Sequence, residues 1–330
     1  MKTLHLNKIK ILVGLFLIST IFATGADASC RYTDAGLLDV VSGNSAAPVY
    51  ETSAGQRTDA CSDTPDEYEI TFYKLGICSA TTAANDLSSC QFIVNNDAGV
   101  NHVIKAGTTG QMAIPEFSID PGTYPYMVIV VSNKLGIKHS FTAAYSLTGA
   151  SSSSGATCWT SDAGPSAYTN EEHATAHGGS TSADGDQLIT CGAAEDAAPI
   201  FSYEVINILS ADNCLDGDNE SNFGLNGDAS PFGTVGNGTA QVSLLNSSDG
   251  WATACTNSSK ILWTTTLTTP YVVTSESTWQ LNMKTTDSVS VDFSDSSGNN
   301  NIMKMGADPI QLYLTVTCLL YTSPSPRDRG

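Results

Sequence analysis

A run of β-favouring residues covers positions 123–131 and follows the turn signal Pro121-Gly122. Its alternation places Tyr124 and Val128 on one face and Ile129 on the other, and both faces are apolar. This is typical of a strand that has packing on both sides. Pro125 has no N–H for a ladder, so the Tyr124-Pro125 end is expected to be the unpaired entry to the strand.

Further strands are predicted along the chain wherever apolar residues alternate with polar ones or form a short run. They cover residues 68–73, 91–94, 100–105, 112–119, 137–145, 200–209, 240–245, 260–267, 271–274, 279–285, 288–294 and 309–317. Residues 91–94 and 100–105 flank a Gly-containing turn, which predicts a hairpin. Residues 279–285 and 288–294 alternate strictly around Thr286-Asp287, which predicts a second, half-buried hairpin.

Short strands separated by turn residues predict an all-β fold. We expect one or two disulfide-stapled antiparallel β-sandwiches, immunoglobulin-like or related, with long polar loops. The best domain boundary is the Ser/Gly run at residues 149–155, because such runs behave as flexible linkers. The expected division is an N-terminal sandwich at 29–149, a linker and polar loop at 150–198, and a truncated β-rich domain at 199–317.

The first 28 residues have the three-part pattern of a secretory signal peptide. Lysines precede an apolar run at 11–22, and Ala26-Asp27-Ala28 provides small residues before a cut expected after Ala28. Asp27 stands where a lipobox has an aliphatic residue, which disfavours lipid attachment at Cys30. The apolar run is too short to span a bilayer, so no membrane insertion is expected after cleavage.

The last residues differ abruptly from the strand pattern before them. Residues 318–328, CLLYTSPSPRD, resemble the translation of a transposon-type sequencing adaptor. The resemblance implies that residues 318–330 are not native. The native sequence after Thr317 is then expected to be missing.

Acidic residues far outnumber basic ones. The chain has 14 Lys or Arg and 33 Asp or Glu, a net charge of −19. Between residues 29 and 317 nine basic and 31 acidic residues remain, which gives −22. Nucleic acid and anionic membranes would repel such a chain, so neither is expected as a partner.

Eight cysteines lie between residues 29 and 317, and an even number in an exported chain predicts disulfides. We expect sequential pairing, because Cys78 and Cys90 flank a short polar loop and a long gap separates two groups of four. No CxxC-type spacing supports a zinc site. The two groups are Cys30, Cys61, Cys78 and Cys90, and then Cys158, Cys191, Cys214 and Cys255.

A polar segment near residue 170 could hold a transition metal. His173 and His177 lie four apart on a short predicted helix, so both could ligate zinc or copper with Glu172 nearby. A zincin protease would have Glu directly after the first His, where this chain has Ala174. Two exposed histidines on a polar loop are the simpler interpretation.

A second polar segment could hold calcium. Asp216, Asp218, Glu220 and Asn222 alternate as oxygen ligands would. The segment is not an EF-hand, because Ser221 stands where that loop needs Gly. A solvated acidic loop is the alternative.

Sparse aromatic residues suggest a third kind of site. Aromatic rings on a sandwich can stack on sugars, and Trp159 and Trp251 are the candidates for this role. Packing on a neighbouring disulfide is the alternative for both, and Tyr168 and Trp263 complete the aromatic set.

These patterns favour a secreted, acidic, non-enzymatic extracellular or cell-surface protein with a structural or binding role. The expected location is extracellular or periplasmic, and the expected partner is an extracellular protein or glycan. No cofactor is expected, with calcium as the alternative. One alternative is a metal-assisted hydrolase centred on His173 and His177, and another is a calcium-stabilised carbohydrate-binding module. For nucleophilic catalysis, His102 and His139 are the remaining possible bases, and no GxSxG motif supplies a nucleophile.

Overall fold

The computed structural model describes residues 29–41, 49–50, 57–82, 86–108, 110–112, 117–149, 153–161, 189–195, 198–205, 230–235, 238–254, 257–293, 302–308 and 310–318. These residues form antiparallel β-strands joined by turns and loops, which confirms the all-β prediction. No helix among them is long and apolar enough to cross a membrane.

The strands are numbered in chain order. They are β1 (Val49–Tyr50), β2 (Arg57–Thr58), β3 (Ala60–Asp63), β4 (Glu67–Cys78), β5 (Cys90–Lys105), β6 (Gly110–Gln111), β7 (Gly122–Ser132), β8 (Lys134–Lys138), β9 (Ser140–Thr148), β10 (Ser154–Thr160), β11 (Ile189–Gly192), β12 (Ser202–Val205), β13 (Ser230–Val235), β14 (Gly238–Leu245), β15 (Lys260–Val273), β16 (Ser277–Lys284), β17 (Val289–Phe293), β18 (Ile302–Ala307) and β19 (Gln311–Cys318).

The largest sheet has eight strands. Seven follow the order β12-β8-β4-β7-β15-β14-β13, and β5 pairs with the other edge of β4. Strand β4 is long enough to pair with β8 through residues 67–69 and with β7 through residues 72–78. Smaller sheets are β11-β10-β9, β19-β16-β6, β18-β17-β3 and β1-β2.

One large apolar cluster lies between the eight-stranded sheet and the smaller sheets. The main sheet contributes Tyr68, Phe72 and Ile129, while β16 and β17 contribute Leu281 and Val291. All five side chains are at most 2% exposed, and burial of a large apolar side chain stabilises a fold by about 1.5–3 kcal/mol. The arrangement is sandwich-like, with the core between sheets.

Strand β7 lies inside the main sheet between β4 and β15 and is apolar on both faces, as predicted. Ile129 belongs to the large core, whereas Val128 belongs to a smaller cluster on the opposite face. We call that opposite face of the eight-stranded sheet the outer face. It carries the candidate site described below.

The predicted unpaired entry at Tyr124-Pro125 is wrong on the β15 side. Residues 122–124 pair with residues 271–273, and the register shifts between Thr266 and Tyr271, opposite Pro125. A residue without an N–H is tolerated at such an interruption. The irregularity also places Tyr124 in the large core and not on the face of Val128.

The predicted hairpin at residues 91–105 is wrong, because both halves belong to one strand. In β5, residues 100–105 pair with the first half of β4 and residues 91–95 pair with its second half. The turn-like residues 96–99 form a bulge there, with Gly99 at φ +80°. The same long partner, β4, holds both segments in one sheet.

The predicted hairpin at residues 279–294 is also wrong. β16 pairs with β19 and β6, whereas β17 pairs with β18 and β3. The turn at Thr286-Asp287, where Asp287 has φ 55°, therefore connects two different sheets. Alternation gave the buried face of each strand but not its partner.

Other strand boundaries differ in smaller ways. Residues 260–267 and 271–274 were expected as two strands and form the single strand β15, apart from residue 274. Residues 137–145 are divided between β8 and β9 at His139. Within 112–119, the described residues 112 and 117–119 lie outside strands.

The described residues of the Ser/Gly run, Gly149 and 153–155, lie at the facing ends of β9 and β10. The N–H of Gly149 donates to the carbonyl of Ser153 over 2.9 Å, and Ser154 pairs with Thr148. Strands from both sides of this run share the main sheet. The division into domains at this position stays a prediction.

Three disulfides are present among the described residues, and they follow the expected sequential pairing. They join Cys30 to Cys61, Cys78 to Cys90, and Cys158 to Cys191. Cys214 and Cys255 lie outside the described residues. The disulfide-stapled fold expected from the sequence is therefore confirmed at these three pairs.

Candidate functional site

Both predicted metal sites lie outside the described residues. This applies to Glu172, His173 and His177 and to the acidic series Asp216, Asp218, Glu220 and Asn222. In the part of the chain that the structure describes, no group of three or more His, Cys, Asp or Glu side chains could hold a metal ion. The zinc, copper and calcium hypotheses stay predictions.

The tryptophans proposed for sugar stacking are placed differently from one another. Trp159 is only 2% exposed and its ring packs over Gly192, so it cannot present a face to a sugar, and that candidate is wrong. Trp251 is half-buried against the cluster that contains Cys78, which fits the alternative of packing near a disulfide. Trp263 is buried at 8% exposure, and Tyr168 lies outside the described residues.

Lysines are concentrated on the outer face of the main sheet. Nine Lys or Arg lie between residues 29 and 317, and five of them are on this face. Among the described side chains, Glu67, Glu69 and Asp249 lie with them on this face, so these groups together carry an excess of positive charge in a strongly acidic chain. The five lysines are Lys74, Lys105, Lys134, Lys138 and Lys260.

The alternation of β4 and β8 explains why these side chains share one face. Tyr68, Ile70 and Phe72 point into the large core, so Glu67 and Glu69 face outwards. In β8, Leu135 and Ile137 belong to the core. The lysines on either side of them, Lys134 and Lys138, therefore project from the outer face.

Glu67 forms the first row of this surface. It pairs in register with Lys105 on β5 and with Lys138 on β8. The Nζ of Lys138 lies 3.2 Å from one carboxylate oxygen and the Nζ of Lys105 lies 4.0 Å from the other. The Lys105 side chain is 72% exposed, so this contact leaves it largely in water.

The second row is centred on Gly136, which pairs with Glu69 on β4 and with Tyr203 on β12. A Cβ at Gly136 would lie 2.7 Å from Cε1 of Tyr203, so the tyrosine ring lies directly over the bare backbone. Burial and a hydrogen bond to Glu69 raise the pKa of Tyr203 to about 12. The ring is thus held against the sheet at both ends.

Two aromatic rings lie side by side under lysine ammonium groups. The centroids of Phe201 and Tyr203 are 6.1 Å apart with 31° between the planes. The Nζ of Lys134 lies 4.4 Å from the centroid of Tyr203, and that of Lys138 lies 4.5 Å from the centroid of Phe201. Such cation–π contacts contribute about 0.5–1 kcal/mol at exposed sites.

We call this surface the lysine platform. It is four strands wide and partly apolar. Its members are Glu67, Glu69, Val103, Lys105, Lys134, Gly136, Lys138, Phe201 and Tyr203.

A second lysine cluster lies farther along the outer face. Asp249 accepts from Lys74 over 2.5 Å and from Lys260 over 2.6 Å, and Lys260 Nζ lies 4.3 Å from the ring centroid of Tyr73. Burial raises the pKa of Asp249, but the hydrogen bonds from both lysines outweigh it and hold the pKa below its usual value. We call this group the Asp249 clamp. Its charges are largely satisfied internally.

His139 occupies the break between β8 and β9 and is 3% exposed. Its Nε2 lies 3.3 Å from Oδ2 of Asp63, which also accepts from the Tyr32 hydroxyl. Burial raises the pKa of Asp63, but the contacts with His139 and Tyr32 outweigh it and hold the pKa low. The Nδ1 of His139 has no hydrogen-bond partner among the described residues.

The lysine platform was missed by sequence reasoning, although part of its signal was present. The triplet Phe201-Ser202-Tyr203 alternates within a predicted strand, so both aromatics could have been placed on one face. Gly136 and Glu69, the cross-strand neighbours of this aromatic pair, could not have been found, because local sequence does not determine the register between strands that are distant in the chain.

The chain was also compared with protein-family models, with curated proteins and with solved structures, and none of them matches it.

Proposed function

We propose that this is an exported, non-enzymatic protein of the extracellular space or cell surface, with a binding or structural role. The observation that carries the proposal is the set of three disulfides that staple the all-β fold. Disulfides form and persist in oxidising compartments and are rare where thiols are kept reduced. The signal-peptide pattern at residues 1–28 independently favours export.

The disulfides support the fold as well as its location. Cys61, Cys78 and Cys158 are fully buried, which keeps reductants from these sulfur atoms. Each link restricts the unfolded chain, and a native disulfide typically stabilises a domain by about 2–4 kcal/mol. Such stapling suits a protein that works outside the cell.

The outer face supports a binding role. Surface lysines in an acidic protein would by default be surrounded by carboxylates, but this face gathers five lysines around three acidic residues. Flat aromatic surface beside charged groups is a common feature of recognition sites.

The proposal is tested by expressing the chain with residues 1–28 intact in a bacterium and separating the cell fractions. We expect mature protein beginning at Ser29 outside the cytoplasm, with no alkylatable thiol at the six paired cysteines under denaturing, non-reducing conditions. A variant that lacks residues 1–28 is the matched control and should retain free thiols. Cytoplasmic accumulation of the intact chain with free thiols would overturn the proposal.

A further inference from the structure

We propose that the lysine platform binds a polysaccharide that carries carboxylate groups, such as a uronate polymer. This inference names the ligand of the binding role, and it therefore rests on the proposed function. It is carried by the combination of side-by-side aromatic rings, lysines above them and the four adjacent strands that bring these side chains onto one face of the sheet.

The aromatic rings provide the surface for sugar rings. Phe201 and Tyr203 are both half-buried and share one side of β12. Tyr203 lies against the bare backbone of Gly136, so its ring is already packed on the sheet before a ligand stacks on it. Two adjacent rings on the face of a sheet suit an extended sugar chain better than a small compact ligand, which needs a cavity.

The lysines select an anionic sugar over a neutral one. In the described part of the chain Lys134 has no carboxylate within ion-pair distance, and its ammonium group rests over the Tyr203 ring. A neutral sugar would have to displace that ammonium from the ring without replacing its contact. A carboxylate can accept from Lys134 as the sugar covers the ring, so the charge is satisfied in the complex.

The acidic residues of the platform limit the charge density of the ligand. Glu67 is held between Lys105 and Lys138, and Glu69 is occupied by the Tyr203 hydroxyl. Among the described side chains of the platform, three lysines against two glutamates leave a small positive excess. A polymer with one carboxylate per sugar matches this excess, whereas nucleic acid with its dense phosphates is repelled by the rest of the chain.

The opposing signs of platform and chain predict an unusual salt dependence. At about 0.01 M salt the Debye length is roughly 30 Å, so the ligand experiences the net charge of the whole chain. At about 0.15 M salt the Debye length is roughly 8 Å, so the ligand interacts mainly with the charges of the platform. Affinity should therefore rise between these concentrations, opposite to the behaviour of an ordinary basic surface.

The test uses the full oxidised chain and three polymers, with binding measured by calorimetry. Polygalacturonate carries both sugar rings and carboxylates, its methyl ester keeps the rings without the charge, and polyglutamate keeps the charge without the rings. We expect polygalacturonate to bind at least about tenfold more tightly than either of the others.

Variants assign the binding to the platform. Lys134→Gln should weaken polygalacturonate binding by about tenfold, and Tyr203→Leu, which still covers Gly136, by about fivefold. Lys284→Gln is the matched control, because Lys284 is exposed in β16 of another sheet, and it should leave affinity unchanged. Melting curves of each variant check that the fold is kept.

Several outcomes would overturn the inference. If polyglutamate binds as tightly as polygalacturonate, the surface recognises charge alone. If the methyl ester binds as tightly as polygalacturonate, the surface recognises sugar rings alone. A concentration-dependent dimer that Lys134→Gln abolishes would assign the platform to a second copy of the chain. Absence of binding in an exported, fully disulfide-bonded protein would refute the ligand and leave the proposed function standing.

Discussion

Asp249 is the single charge whose removal should reveal most about the outer face. It lies in a turn with φ 61°, a left-handed conformation that Asn tolerates about as well as Asp. The substitution Asp249→Asn therefore removes the charge and keeps the backbone and the side-chain volume. The difference in stability then reports the Asp249 clamp alone.

The expected loss follows from the two hydrogen bonds. Lys74 and Lys260 donate over 2.5 and 2.6 Å, and a hydrogen bond that involves a charged group contributes about 1.5–3 kcal/mol. The Asn oxygen can still accept from one lysine, and solvent screens part of the effect because the Asp249 side chain is 29% exposed. Lys260 is 7% exposed and loses its counter-charge. We expect a loss of about 2 kcal/mol in the free energy of unfolding.

The pH dependence gives the same prediction an independent signature. The pKa of Asp249 is lowered from 3.8 in the folded protein, so its contribution is present above that value and is lost as pH falls through the folded pKa. The difference between wild type and variant should be constant between about pH 5 and 8 and shrink below about pH 4.

Urea unfolding followed by tryptophan fluorescence measures this difference at neutral and acidic pH. Asp97→Asn is the control, because Asp97 is exposed on the bulge of β5, and it should change stability by less than about 0.5 kcal/mol. If Asp249→Asn is as stable as wild type at neutral pH, or if the loss persists unchanged at about pH 3, the clamp does not work as argued.

Three further predictions concern packing and metal binding. Gly136→Ala should push the Tyr203 ring off the sheet, because the new Cβ would lie 2.7 Å from Cε1 of that ring. Ultraviolet titration should then show the pKa of Tyr203 falling from about 12 towards 10.0. An unchanged pKa would contradict the contact between Gly136 and Tyr203. Gly155→Ala would place its Cβ 1.9 Å from the backbone of Gly192, so it should destabilise the protein by about 3 kcal/mol or more in urea unfolding. Gly107→Ala, which meets nothing within 4 Å but has φ +68°, should cost only about 1–2 kcal/mol, and equal losses would refute the clash. The metal content of the dialysed protein tests the two metal-site hypotheses. Zinc or copper that is retained by the wild type and lost in His173→Ala and His177→Ala would support the histidine site, and bound calcium that shifts the melting temperature would support the acidic loop. A protein that retains no metal would contradict both hypotheses.

The sequence was most informative where the composition and alternation of one strand were enough to predict its burial. The run at 123–131 is apolar on both faces, so its place inside a sheet followed from composition and alternation alone, and β7 confirms it. The cysteines were similarly informative, because Cys78 and Cys90 flank a short polar loop and one long gap separates two groups of four, which favoured sequential pairing.

Predictions failed where a distant partner decides the structure. The Asn-Asp-Ala-Gly segment of β5 has the residues of a turn, but β4 pairs with the chain on both sides of it and turns the segment into a bulge. Strict alternation in β16 and β17 gave their buried faces correctly, yet their neighbours come from β19, β6, β18 and β3. Local pattern specifies a face, whereas pairing depends on the rest of the chain.

The lysine platform also depends both on the faces of individual strands and on the pairing of distant strands. That Phe201 and Tyr203 share a face, and that Lys134 and Lys138 share another, could be derived from alternation within each strand. Only the pairing of Gly136 with Tyr203 combines the two faces into one surface. It also gives the glycine its role, because a side chain there would lift the aromatic ring from the sheet. The acidity of the chain opposes the effect of these lysines. The net charge of −22 between residues 29 and 317 repels polyanions in general, whereas the lysines of the platform attract a carboxylate only at short range. The specificity that we propose, for polymers with sugar rings and one carboxylate per sugar, depends on that combination, and neither the overall charge nor the lysines would provide it alone.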